Sequence, residues 1–213
     1  MFVSGGLLES RTQFDELWGV AQQVVHLGAE MPEWPFVATS GYLDYFDADW
    51  TRDDHFGECL EVIAQEHGDT VVAMVLVDNW PSVYVDFVER TARWPALTVA
   101  TELVPSAYSA LIGRYAQGGD VDITYNFRRA IFFGQALQWV VWVDFIGEAG
   151  IVFSQMPARP WRSVISFADS LIDLLPVRVV AEREAEALLR YKQLLVENIE
   201  SRNLSNDSKF SRE

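Results

Sequence analysis

Cysteine is nearly absent from this chain: Cys59 is the one thiol in 213 residues. That excludes an intrachain disulfide and fits a reducing compartment. Histidine is almost as scarce, and His26, His55 and His67 all fall in the first 70 residues. A Ser–His–Asp triad would have to draw its base from that third, where no flanking sequence recommends one. The nucleotide, nucleophile and zinc signatures are missing as well: there is no G-x-S-x-G, Walker loop, G-x-G-x-x-G or H-E-x-x-H. Long apolar runs are also lacking. The longest aliphatic stretch, Val71–Val77, is far short of the roughly 20 residues that a membrane-spanning helix needs. The opening MFVSGGLLES has neither a basic n-region nor an adequate apolar core, so the expectation is no secretory signal and a cytoplasmic location.

Basic residues are scarce in one place above all. Residues 1–70 carry 14 Asp/Glu against Arg11 and Arg52, a balance of −12, whereas residues 71–213 carry 17 acids against 14 bases, a balance of −3. Most of the net charge of −15 therefore sits in the first third. Such a field repels nucleic acid and anionic lipid and attracts cations or a basic protein surface. The plainer role of acidic residues, keeping a surface soluble, accounts for most acidic proteins.

What is abundant is apolar and aromatic. Half the residues are hydrophobic and 13% are aromatic, including eight tryptophans without a fixed period. This is a folding composition with enough chain to bury a large core. Residues 137–154 alternate apolar side chains onto both faces of two strands around a Gly-containing reversal, with Asp144 as a stray acid at the end of the first. Val71–Val77 is apolar at every position and reads as a central strand covered on both sides. Residues 97–103, 121–125 and 130–133 read as further strands.

Helices are expected over 10–28 (Ser10 and Gln13 forming a capping box, Gly28 closing it), 51–66 with Thr51 as N-cap, 82–94 and 105–117. In 82–94 the alternation of Val83, Val85 and Phe87 makes a strand the rival reading. Two more helices are expected over 163–175 and 180–202. The fold class is accordingly α+β, one domain over 1–202 with a polar tail at 203–213. Its sheet would be mainly antiparallel, with a mixed sheet as the alternative, and its helices grouped at the N-terminal and C-terminal ends and packed on one side.

Three constellations compete as sites. Residues 47–58 place acids at positions 1, 3, 7 and 12 of an EF-hand-like loop, yet Arg52 stands where the sharp turn wants glycine. His55 and Cys59 share a helical face, but two ligands do not make a metal site. Asp78, Asp86, Asp144 and Glu148 lie near strand ends, where a carboxylate pair would suit an enzyme or ligand pocket; finding four of 31 acids there is expected by chance.

The favoured reading is a non-enzymatic domain that docks a basic protein partner, of the immunity or antitoxin type, with no cofactor, metal, nucleic acid or membrane involved. Its binding residues would be Tyr42, Asp44, Tyr45, Asp47, Asp49, Trp50, Asp53 and Asp54, with Trp34 and Phe46 as further anchors. Aromatic rings supply desolvated contact, and the acids around them supply steering and register. The alternative is a small enzyme or ligand-binding domain with its pocket near Asp144. The stripe Leu188, Tyr191, Leu195 and Ile199 would pack in the core, or form a homodimer interface if its helix projects.

Overall fold

The organising element is Val71–Val77, whose seven residues are all buried. A strand without a polar side chain needs cover on both faces and a neighbour on both edges, and this one has all four. In a computed structural model, which describes residues 5–29, 33–117, 127–156, 193 and 197, the described strands form one antiparallel sheet. They are β1 (Leu7–Leu8), β2 (Tyr42–Asp47), β3 (Val71–Val77), β4 (Trp94–Ala100), β5 (Arg129–Gly134), β6 (Trp139–Asp144) and β7 (Ala149–Ser154). Their spatial order is β1-β4-β3-β5-β6-β7-β2, with every neighbouring pair antiparallel. The expected α+β domain is what forms, and the mixed-sheet alternative falls among these strands.

Helices cover both faces, not one. Helix α2 (Asp54–Glu66) and helix α4 (Val104–Gln117) lie over Val72, Met74, Phe132, Trp139, Val141 and Val152. Phe56, Leu60 and Ile63 of α2 repeat at helical spacing, and each is 1% exposed. Burying such side chains contributes about 1.5–3 kcal/mol apiece. Helix α1 (Arg11–Ala21) covers the opposite face, bringing Phe14 and Leu17 onto Val75, Ile131 and Trp142. Helix α3 (Pro81–Thr91) starts with proline in its first turn, and its Phe87 is fully buried. The strand reading of that segment is rejected.

Several boundaries differ from the sequence expectation. Helix α1 ends at Ala21, and Ser10 makes no side-chain cap, so the capping box does not form. The chain then turns, and an isolated bridge joins Val25 to Phe36, with the His26 amide donating to the Pro35 carbonyl. Tertiary pairing thus displaces the last third of the expected helix, and Gly28 is not its cap. Thr51 is buried within a 3-10 turn (Ala48–Arg52), and Asp53 is the residue that caps α2. The helix expected over 82–94 ends at Thr91, and Pro95 lies inside β4, just outside the ladder with β3 that begins at Ala96. Its missing N–H costs no rung there.

The turn joining β6 to β7 takes its left-handed residue from Glu148, φ 52°, and not from a glycine. Gly150 has another task. It pairs with Phe46 across the β2–β7 ladder, and a Cβ there would lie 2.3 Å from the Phe46 ring. The expected strand 121–125, the helix 163–175, the stripe Leu188, Tyr191, Leu195 and Ile199, and the tail lie outside the described residues; of the expected helix 180–202, residues 193 and 197 are described, and both are helical.

Candidate functional site

The register of the sheet aligns five residues into one row: Val77 pairs with Arg129, Arg129 with Asp144, Asp144 with Ala149, and Ala149 with Asp47. At that row β3 ends, β5 begins, β6 ends, β7 begins and β2 ends. Everything that follows or precedes it therefore emerges at one end of the sheet: residues 78–81, Arg128, the turn 145–148, and the acidic segment from 48 to 53. Two places that are a hundred residues apart in sequence, the acidic stretch and the Asp144 hairpin, become neighbours.

Backbone hydrogen bonds continue past the row and lace these loops together. The Phe145 amide donates to the Arg128 carbonyl at 2.9 Å, and the Ala48 amide to the Glu148 carbonyl at 3.3 Å. Aspartates fix each loop in the same way. Asp47 accepts from the Asp49 amide (2.8 Å), Asp53 from the His55 amide (2.9 Å), Asp78 from the Trp80 amide (2.9 Å) and Asp144 from the Ile146 amide (3.0 Å). Each is an Asx turn, the short side chain reaching its own backbone two residues on. Asp144 also accepts from Gly147, and Asp78 from the Arg128 amide. The stray acid of the hairpin is therefore buried and hydrogen-bonded to the turn it precedes.

The sequence-derived residues separate accordingly. Tyr42, Asp44, Tyr45 and Asp47 lie on β2, the last strand of the described sheet. Tyr42, Asp44 and Asp47 are half-buried. Asp49 and Asp53 are exposed, and Asp49 pairs with Arg52 at 3.0 Å. Trp50 is half-buried and packs onto the α2 face. Asp54 is the first residue of α2. Of the two further aromatics read as anchors, Phe46 is not available and Trp34 is half-buried. Phe46 is 1% exposed, its ring tilted against that of Phe56 in the core. Trp34 packs edge-on to Phe36 and Phe153, its indole nitrogen donating to the Ala38 carbonyl.

Sequence reasoning missed two surface residues at this end. Trp80 is 61% exposed and Ile146 63%. The signal for Trp80 was its position inside the polar turn DNWPS, which offers an indole no apolar neighbour.

The other candidate chemistries do not assemble. Residues 47–58 form a 3-10 turn and a helix start in place of a calcium loop, with the Asp47 and Asp53 carboxylates turned to backbone amides. His55 reaches Glu58 and not Cys59. Cys59 is buried, and that burial, helped by Glu58 and Asp53, pushes its thiol up to about 12, so it is not a thiolate near neutrality. Among the described residues no group of three or more His, Cys, Asp or Glu is placed to hold a metal, and no helix is long and apolar enough to cross a membrane.

His67 does meet a serine. Its Nδ1 lies 2.8 Å from the Ile63 carbonyl and so carries the proton, leaving Nε2 to accept from Ser154 Oγ at 2.8 Å. Ser154 is fully buried and its Oγ also accepts from the Met156 amide, which makes this pair a latch between α2 and β7. Arg129 is buried too, donating to the Leu27 carbonyl and to Asn79 and lying over the Trp142 ring. It anchors the segment after α1 to the sheet end. A cavity of about 470 Å³ opens at the opposite edge, beside β1 and α4, lined by Leu7, Arg93, Leu97, Ala107 and Leu111 among others. It is four strands from Asp144.

The chain matches no protein-family model, no curated protein and no solved structure.

Proposed function

We propose that this protein is a non-enzymatic binding domain that docks a basic protein partner through the acidic segment at the end of β2, as an inhibitor of the immunity or antitoxin type would. The observation that carries the reading is the state of Asp49 and Asp53: both are exposed at one end of the sheet, in a stretch where acids outnumber the single arginine. Their backbone is already held by Asx turns, so little ordering is needed on association. The acids steer and align a cationic surface; half-buried Tyr42 and Trp50 add contact area at the margin. The protein would act in the cytoplasm.

The test must spare the caps. Asp47→Asn, Asp49→Asn and Asp53→Asn together remove three charges while leaving side chains that still cap. The melting temperature should move by only a few degrees. Capture of a partner with excess Lys and Arg, recovered from source cells and identified by mass spectrometry, should be lost. Undiminished capture by the triple variant would remove the acidic segment from the interface.

A further inference from the structure

We infer that the binding surface is the whole loop-bearing end of the sheet, with Trp80 and Ile146 as its apolar anchors beside Asp49 and Asp53, and that it fits a folded protein presenting apolar side chains ringed by Lys and Arg. This deepens the reading above and rests on it. The row Val77–Arg129–Asp144–Ala149–Asp47 sets the geometry. From β3 to β2 it crosses four interstrand steps, roughly 19 Å, a width suited to an interface burying on the order of 800 Å² per partner. Trp80 emerges at one side of that span, Ile146 in the middle, and Asp49 and Asp53 at the other. Val85 on α3 is also exposed, at 55%.

Exposing an indole and an isoleucine so fully forfeits the burial each could have gained in the core, and both are held in place. The Trp80 backbone is fixed by Asp78 and by Pro81 in the first helical turn, and the Asp78 amide donates to the Tyr84 hydroxyl at 2.7 Å. Ile146 sits in the turn that Asp144 closes. Large exposed side chains on a held backbone suit an interface centre, because the loop itself needs little ordering on docking. Charge then selects the partner. Asp49, Asp53 and Glu148 belong to these loops, against Arg52, which pairs with Asp49, and Arg128. An acidic rim around apolar anchors disfavours anionic lipid and nucleic acid and favours a basic protein face.

The experiment places the photo-crosslinker p-benzoylphenylalanine singly at Trp80, Ile146, Leu103 and Met156 of the full chain. The last two are exposed controls at the far end of the sheet. Irradiation in source cells should link one and the same Lys/Arg-rich protein at positions 80 and 146 and not at 103 or 156. Excess wild-type chain should compete with the link, and the triple Asn variant should abolish it. Against that purified partner, Trp80→Ala and Ile146→Ala should each weaken the Kd roughly tenfold or more, with an unchanged melting temperature. A partner that the triple Asn variant loses but that never links at 80 or 146, and binds Trp80→Ala normally, overturns the wider face and leaves the acidic segment standing. A partner indifferent to the triple Asn change overturns both. Binding of the wild type, but not of Trp80→Ala, to phosphatidylcholine vesicles would assign the face to a membrane and overturn the proposal.

Discussion

The two ends of the sheet are built from the same materials and behave oppositely. At one end the last row paired across these five strands runs Ala73–Phe133–Val140–Phe153–Leu43, and polar groups just beyond it are turned inward. Asp69 is 4% exposed; it accepts from the Ala136 amide at 2.7 Å and the Trp139 indole at 2.8 Å, while its own carbonyl accepts from Thr101. Gly134 is there because a Cβ would lie 1.9 Å from the Asp69 carboxylate. At the other end Asp47, Asp53 and Asp144 are turned to their own loops, Asp78 holds both its own turn and the Arg128 amide, and the loop tips at Asp49, Trp80 and Ile146 face solvent. An acid tied across elements locks a fold; an acid tied to a backbone two residues on holds a loop and leaves its tip available.

The sharpest way to break that contrast is at the locked end. Asp69→Ala strands the Trp139 indole and the Ala136 amide in the core and should cost about 3 kcal/mol, read as a lower urea midpoint with an unchanged m-value. Gly134→Ala should cost about 1–3 kcal/mol by overpacking.

A smaller effect comes from α2, which runs from the acidic end to the locked one. Cys59 titrates near 9 when exposed and is pushed up to about 12 by burial. Unfolded chains therefore lose this proton first as pH rises, so stability is full below pH 9 and drains between 9 and 12. At pH 10 the loss from this group is on the order of 1 kcal/mol. Tyr84, also raised to about 12 by burial, adds to the slope above 10. Chemical denaturation at a series of pH values should show the decline beginning near 9 in the wild type and near 10 in Cys59→Ala. The smallest effect belongs to the open end: Asp53→Ala should cost about 1 kcal/mol of helix capping and Asp53→Asn almost none, by thermal denaturation. A loss at Asp53 as large as that at Asp69 would erase the distinction between the two ends.

How much of this was legible follows from how local each cause is. The strand Val71–Val77 and helices α3 and α4 are written in short-range pattern and proline placement, and they form where expected. The end of α1 is not, because the Val25–Phe36 bridge that replaces helix depends on a segment a dozen residues on. The site was half legible. Its acids stand out in composition, but whether an aromatic beside them is anchor or core depends on the cross-strand partner. Phe46 is buried because Gly150, 104 positions later, leaves room for its ring. Trp80 was overlooked because only the register of five strands brings residues 78–81 alongside the acidic segment.

The four Asx turns carry one more consequence. Each aspartate bonds to backbone, which every residue except proline offers alike, so the fold is indifferent to most side chains seated two positions further on. The aspartates work as sockets, and the residues at 49, 55, 80 and 146 are interchangeable plugs. A lineage under pressure to track a changing opponent could rewrite those plugs repeatedly while the sheet beneath them stayed the same.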